Sequence, residues 1–158
     1  MQQRFDGAKV APHAYKAILA MEQYLHQSSL DEKLLVLVKL RASQINGCAY
    51  CIDMHWKDLR EAGETEQRLY GLDAWRESPY YTDRERAALA WTEAVTLIAE
   101  GHAPDDLYEQ LIQQFTEKEV ADLTFDITTI NVWNRLAIAS RIPPGQYRPA
   151  KHPVAKPA

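Results

Sequence analysis

An all-α, single-domain bundle of about seven helices is the fold class this sequence predicts, and three observations predict it. Helix start signals recur while strand signals are weak: Ser29 with Glu32, Thr82 with Glu85 and Thr116 with Glu119 all fit the S/T-x-x-E capping box, and each precedes an apolar run. Hydrophobic residues make up 46% of the chain and charged ones 25%, with only six glycines, which is ordinary globular usage leaning toward helix. The 158 residues suffice for one compact domain with a real core and are too few for two ordinary ones.

The elements follow in order. Apolar periodicity puts the first helix over residues 12–27 and the second over 30–44, the latter ending where Asn46 and Gly47 tolerate left-handed geometry. A third helix starts near Cys48 and runs through "AYCIDMHWKDLREA" until Gly63 caps it, which leaves both cysteines in its first turns. A shorter helix covers 64–73, and "WRESPYY" is a connection punctuated by Pro79. The helix over 83–99 carries "AALAWTEAVTLIA", where Glu93 is the one charge between Arg86 and Glu100. A helix apolar all round is buried all round, and covering it within one small domain is hard, so the chain is expected to associate with copies of itself. Pro104 followed by Asp105 and Asp106 starts a helix over 104–114, and the last runs over 117–140. The helical domain is thus 1–141, and 142–158, which holds most of the prolines, is expected to be an unstructured tail.

Several function classes drop out. The net charge of -4 leaves no broad basic field, so nucleic acid is not an expected partner. No run approaches the roughly 18 uninterrupted apolar residues of a membrane span, and "MQQRFDGAKV" lacks the apolar core of an export signal. The expected location is the cytoplasm, where two cysteines are a catalytic or metal pair rather than a disulfide scaffold.

Both cysteines and one of the five histidines lie within "NGCAYCIDMH". On a helix, positions i, i+3 and i+7 share a face, so Cys48, Cys51 and His55 line up while Asp53 and Lys57 point elsewhere. One turn between the cysteines is the spacing of dithiol oxidoreductases, in which one thiolate attacks and the other closes the disulfide. Free N–H groups at the helix start and an imidazole one turn on both favour a thiolate, and such settings move a cysteine pKa from about 8.5 into a range of roughly 3.5 to 7.5. The dipole favours Cys48 as the more acidic thiol, whereas adjacency to His55 favours Cys51. Three alternatives compete. A structural zinc wants a fourth ligand, and the sequence has no second CxxC or HxxxH pair; a catalytic zinc with an open position is compatible with three. A c-type haem needs histidine directly after the second cysteine, where Ile52 stands. Two cysteines buried as packing are less expected at a helix start after an Asn-Gly break. Redox chemistry is the favoured reading, with no metal and no cofactor required.

The stretches "LVKLRASQINGCAYCIDMH", "GETEQRL", "WRESPYYTDRERAALAWTEAVT" and "INVWNRLAIASR" resemble the alkylhydroperoxidase D-like branch of the carboxymuconolactone decarboxylase superfamily over about residues 12 to 141. The resemblance implies an all-helical oligomer, trimeric or hexameric, that reduces hydroperoxides with thiols. It makes Cys51 the peroxidatic thiol, Cys48 the resolving thiol and His55 part of a proton relay. A thiol reductant, whether a small thiol or a lipoyl or thioredoxin-like donor, then resets the disulfide. One departure stands out: the glutamate usual on the preceding helix aligns with Val36. Glu32, a turn earlier, has a helix-start role open to it. Glu93 is the better substitute, because a lone carboxylate on a buried helix must be neutral, paired or hydrogen-bonded. It either completes the relay near His55 or pairs with Arg41 or Arg135. Gly47, Tyr50, Trp91, Asn131 and Trp133 are pocket-lining or core residues, and His13, His26 and His102 have no link to the chemistry. Two other activities compete: the acid-base decarboxylation that names the superfamily, against which the CxxC pair argues, and a redox sensor that forms the same disulfide without turnover.

Overall fold

The structure is a computed structural model that describes residues 2–149. Among the described residues there is no strand, and nine α-helices follow one another: α1 (Gly7–Val10), α2 (Pro12–Leu25), α3 (Glu32–Asn46), α4 (Ala49–Glu61), α5 (Glu66–Tyr70), α6 (Asp83–Thr96), α7 (Ile98–Gly101), α8 (Asp105–Ile112) and α9 (Glu117–Ser140), with a 3-10 turn at Leu72–Ala74. Among these residues no helix is long and apolar enough to cross a membrane.

Local chemistry explains most of the boundaries. The capping boxes Thr82/Glu85 and Thr116/Glu119 both form, each with the threonine side chain on the N3 amide and the glutamate reaching back to the cap. The third expected box does not form. Asp31 caps α3 instead, its carboxylate accepting from the Leu34 N–H at 3.1 Å, so the helix begins two residues later than the Ser29 signal implies. Gly47 ends α3 in the left-handed region (φ 68°), where a side chain would be strained. The expected helix over 83–99 breaks at Leu97 (φ −98°, ψ 38°), and the remainder becomes α7.

Helix α3 is the central element and packs on α4, α6 and α9. That position explains its "LLVLVKL" run: from Leu34 to Asn46 no residue is exposed. One side of α3 closes a core with α6, α8 and α9 around Val38, Leu111, Leu123 and Ile127, and the other closes a second with Leu59, Leu72, Trp75 and Leu89. Each fully buried leucine contributes about 1.5–3 kcal/mol of transfer free energy. The all-round burial expected of α6 is met only in part: Ala88, Leu89, Trp91, Thr92 and Thr96 are buried by helices of the same chain, and the other residues from Arg84 to Val95 are half-buried. Leu97 and Ile98, beyond the break, are exposed.

The segment 142–149 lacks regular secondary structure, yet it is not free. Tyr147 Oη donates to Asp58 Oδ1 at 2.6 Å, the Gly145 N–H donates to Asp53 Oδ2 at 3.0 Å, and Lys57 Nζ donates to the Tyr147 carbonyl at 3.3 Å. It is thereby strapped along α4, where a tail without structure was expected. The rest of that expectation, 150–158, lies outside the described residues.

Candidate active site

The site is built where α3 ends and α4 begins. Asn46, the last residue of α3, donates through Nδ2 to Asn131 Oδ1 at 3.0 Å and Asn134 Oδ1 at 2.9 Å, while Asn134 Nδ2 donates to Ser43 Oγ at 3.0 Å. This buried amide network fixes the α3–α4 turn against α9. Cys48 is then the N-cap of α4, its Sγ accepting from the Cys51 N–H at 3.4 Å. Both cysteines are about 1% exposed, pack against Ala137 of α9, and are joined by a disulfide with a Cα–Cα distance of 5.4 Å.

The two cysteines face different spaces. Cys51 and His55 lie in the wall of a cavity of about 770 Å³ whose surface is mainly apolar, with Tyr15, Tyr50, Met54 and Trp133 among its walls. Cys48 instead borders a smaller cleft of about 300 Å³ between Gly47, Ile138, Arg141 and Pro143. Of the expected pocket residues, Tyr50 and Trp133 line the cavity and Gly47 the cleft. Trp91 is core, donating to Thr124 Oγ1 at 3.0 Å, and Asn131 belongs to the amide network.

His55 is buried, and neither ring nitrogen has a hydrogen-bond partner; Nδ1 stays 3.8 Å from Asp58 Oδ2. Burial, reinforced by the charge of Lys39, pushes its pKa down to about 3, so the ring is neutral at neutral pH with an open lone pair. In that state its lone pair, one helical turn from Cys51, can take a proton but holds it only weakly.

Glu93 sits elsewhere. Its Oε1 accepts from Arg41 Nη2 at 2.7 Å and Nε at 2.9 Å and from Trp75 Nε1 at 2.8 Å, and its Oε2 accepts from Arg76. Burial raises its pKa, but these donors outweigh it and hold the carboxyl below its ordinary range. Of the two readings open in the sequence, the structure forms the ion pair with Arg41 and no hydrogen bond to His55; Arg135 bonds to Asn131 instead. Glu93→Gln is therefore expected to lower stability by about 1.5–3 kcal/mol in urea melts. The pH profile of Cys51 alkylation should stay unchanged, and a shifted profile would restore Glu93 to the relay.

Sequence reasoning missed a cluster that the fold assembles beside His55. Lys39 of α3 is 6% exposed; its Nζ lies 2.6 Å from Glu22 Oε2 of α2 and 3.2 Å from Asp126 Oδ1 of α9. Glu22 also accepts from Trp133 Nε1 at 2.9 Å. Burial opposes the Lys39 charge, but Asp126 and Glu22 outweigh it and raise its pKa. The one available signal was a lysine inside the apolar "LLVLVKL" run. Among the described residues no His, Cys, Asp and Glu side chains are grouped as a metal site requires.

Fold and site together define a class: an all-α bundle in which the second cysteine of a CxxC helix start and a buried histidine one turn on share an apolar cavity. The sequence model of the carboxymuconolactone decarboxylase family matches residues 12–94, and the chain belongs to that family, in its alkylhydroperoxidase D-like branch. It is 45% identical to the protein YdfG of Bacillus subtilis over 139 residues, which are 88% of this chain and 95% of YdfG. Among solved structures it is similar to ATU0492 of Agrobacterium tumefaciens, a protein of unknown function suggested to be an AhpD of antioxidant defence. The TM-score is 0.89 and the identity 46%, over 92% of this chain and 100% of that one. The debrominase Bmp8 shares the fold, with a TM-score of 0.71 at 17% identity over 85% of this chain and 73% of its own. The superfamily's members are enzymes of more than one chemistry.

Proposed function

We propose that this protein is a thiol-dependent peroxidase that reduces organic hydroperoxides through Cys51 and Cys48. The observation that carries the reading is that Cys51 and an unpaired, neutral His55 open onto one largely apolar cavity of about 770 Å³, a size that accepts a bulky apolar peroxide. His55 takes the Cys51 proton, and the thiolate attacks the peroxide oxygen. The O–O bond breaks, leaving a sulfenic acid on Cys51 and an alkoxide that is protonated to the alcohol. The Cys48 thiol attacks the sulfenic sulfur, its proton and the hydroxyl leave as water, and the disulfide forms. Two thiols of a reductant, a small dithiol or a lipoyl or thioredoxin-like donor in a reducing cytoplasm, return the pair to its reduced state. A trimer or hexamer fits the exposed apolar residues Phe125, Val132, Leu136 and Ile138 along α9.

The test is a thiol count by mass on the reduced, metal-stripped protein after about one equivalent of cumene hydroperoxide. Rapid loss of two hydrogens per chain, reversed by dithiothreitol and repeated on re-addition, is the expected result. Intact thiols after prolonged exposure would overturn the reading, and a single stoichiometric oxidation to the disulfide without catalytic turnover would point to a sensor. In the same assay Cys48→Ser is expected to take up one oxygen per chain as sulfenic acid and to form no intrachain disulfide.

A further inference from the structure

We propose that the buried cluster of Glu22, Lys39 and Asp126 is the proton relay of this site, in place of the acid that position 36 does not supply. The proposal rests on the peroxidase reading only for the identity of the molecule finally protonated. Val36 and Lys39 stand three residues apart on one face of α3, and both line the cavity that holds Cys51 and His55. Glu22 lines it too, from α2.

His55 needs such an outlet. A buried imidazole with no hydrogen-bond partner and a cation close enough to act on it accepts a proton only in passing. The thiol proton must move on for the thiolate to persist. Glu22 is a poor final acceptor, since Lys39 and Trp133 already occupy both its oxygens and favour the ionised form. Asp126 is different. It is fully buried, its ion pair with Lys39 is 3.2 Å long, and neither oxygen has a hydrogen bond. Burial first, with Glu22 adding and Lys39 opposing, pushes its pKa up to about 7, where a carboxyl both takes and gives a proton at neutral pH. Stability alone is a weak reason for the cluster, because a buried triad of charges is often no better than packed apolar side chains.

The step balances without a co-reactant. Cys51 loses its proton to His55, His55 passes it to the Lys39 amine as the ammonium gives one to Asp126, and the net result is a thiolate and a carboxylic acid. Run in reverse, the path delivers that proton to the departing oxygen. The other charged groups near His55 are placed differently: Asp58, on α4, accepts from Tyr147 through Oδ1 and holds Oδ2 3.8 Å from His55 Nδ1, beyond hydrogen-bond reach, and the His26–Glu32 pair is exposed at the cavity's edge. Lys118, Tyr24 and Asp122 form a separate cluster toward the N-terminus of α9, beginning one turn before Asp126.

The test is infrared difference spectroscopy on full-length protein as the disulfide is reduced at neutral pH. Reduction is expected to produce the C=O stretch of a buried carboxylic acid, and Asp126→Asn, which is nearly isosteric, should abolish it. The same variant should slow hydroperoxide oxidation of Cys51 by about 100-fold at pH 7. A folded Asp126→Asn that keeps the band, or wild-type protein that never shows one, overturns the proposal. Should that variant fail to fold, carbon-13 labelling of the aspartates in the reduced wild type decides. Asp126 titrating near 7 together with Cys51 supports the relay, and a midpoint below about 5 sinks it. A band without any peroxide consumption would leave the relay standing and reject the peroxidase reading alone.

Discussion

Cys51→Ser is expected to end hydroperoxide consumption, with the rate falling to that of buffer. The argument is positional as well as chemical. Both cysteines are buried, but Cys51 faces the large cavity beside His55 whereas Cys48 faces the small cleft near Arg141. A peroxide that enters the cavity meets Cys51 Sγ, and a serine oxygen there can neither take up the peroxide oxygen as a sulfenic acid nor close a disulfide with Cys48. The variant retains Cys48 as a free thiol at the α4 N-cap, favoured by the helix dipole, so it asks which cysteine the peroxide reaches. Stopped-flow peroxide loss, with mass spectrometry of the Cys48 peptide, gives the answer. Normal turnover, or a sulfenic acid on Cys48 formed at the wild-type rate, would reverse the assignment of the two thiols.

What was legible in the sequence, and what was not, divides by range. Helix α9 was readable to the residue, because Thr116 and Glu119 form a local capping box and the apolar pattern runs unbroken to Ser140. That Cys51 and His55 share a wall was readable because they sit one turn apart on α4, whereas Cys48, at the non-helical N-cap, borders the small cleft instead of sharing their face. Position 97 was not, since the apolar pattern continues through "TLIA" and only the backbone turn at Leu97 ends α6. Glu93 was seen correctly as a carboxylate that needs partners. Its choice of Arg41, 52 residues away, depends on how α3 and α6 cross. The Lys39 cluster was the least legible part: Glu22, Lys39 and Asp126 carry no motif, and only the meeting of α2, α3 and α9 brings them together. The strap at 142–149 escaped for a related reason, as proline-rich composition says nothing of a tyrosine that finds an aspartate on α4.

The oxidised wild-type protein is expected to hold a nearly level stability between about pH 4.5 and 6.5, while His55→Gln should gain stability as the pH falls through that window. Two opposed titrations produce this. His55 is held near pKa 3 when folded against 6.5 ordinarily, so over that interval the unfolded chain binds the proton that the folded chain refuses, and acid favours unfolding. Asp126 is raised to about 7 from 3.8, so between those values the folded chain binds the proton that the unfolded one releases, and acid favours folding. Each slope is about 1.4 kcal/mol per pH unit where it is fully developed, and where the windows overlap they cancel. Removing His55 leaves the Asp126 slope alone, which should make the variant about 2 kcal/mol more stable at pH 5 than at pH 6.5. Asp126→Asn should show the mirror image, losing stability on acidification over the same range. Urea melts of the two variants at pH 5 and 6.5 read these slopes independently of any overall cost of each substitution. Two flat profiles would mean that neither group is buried in the ionisation state assigned to it, and would remove the physical basis for a proton passing from His55 to Asp126.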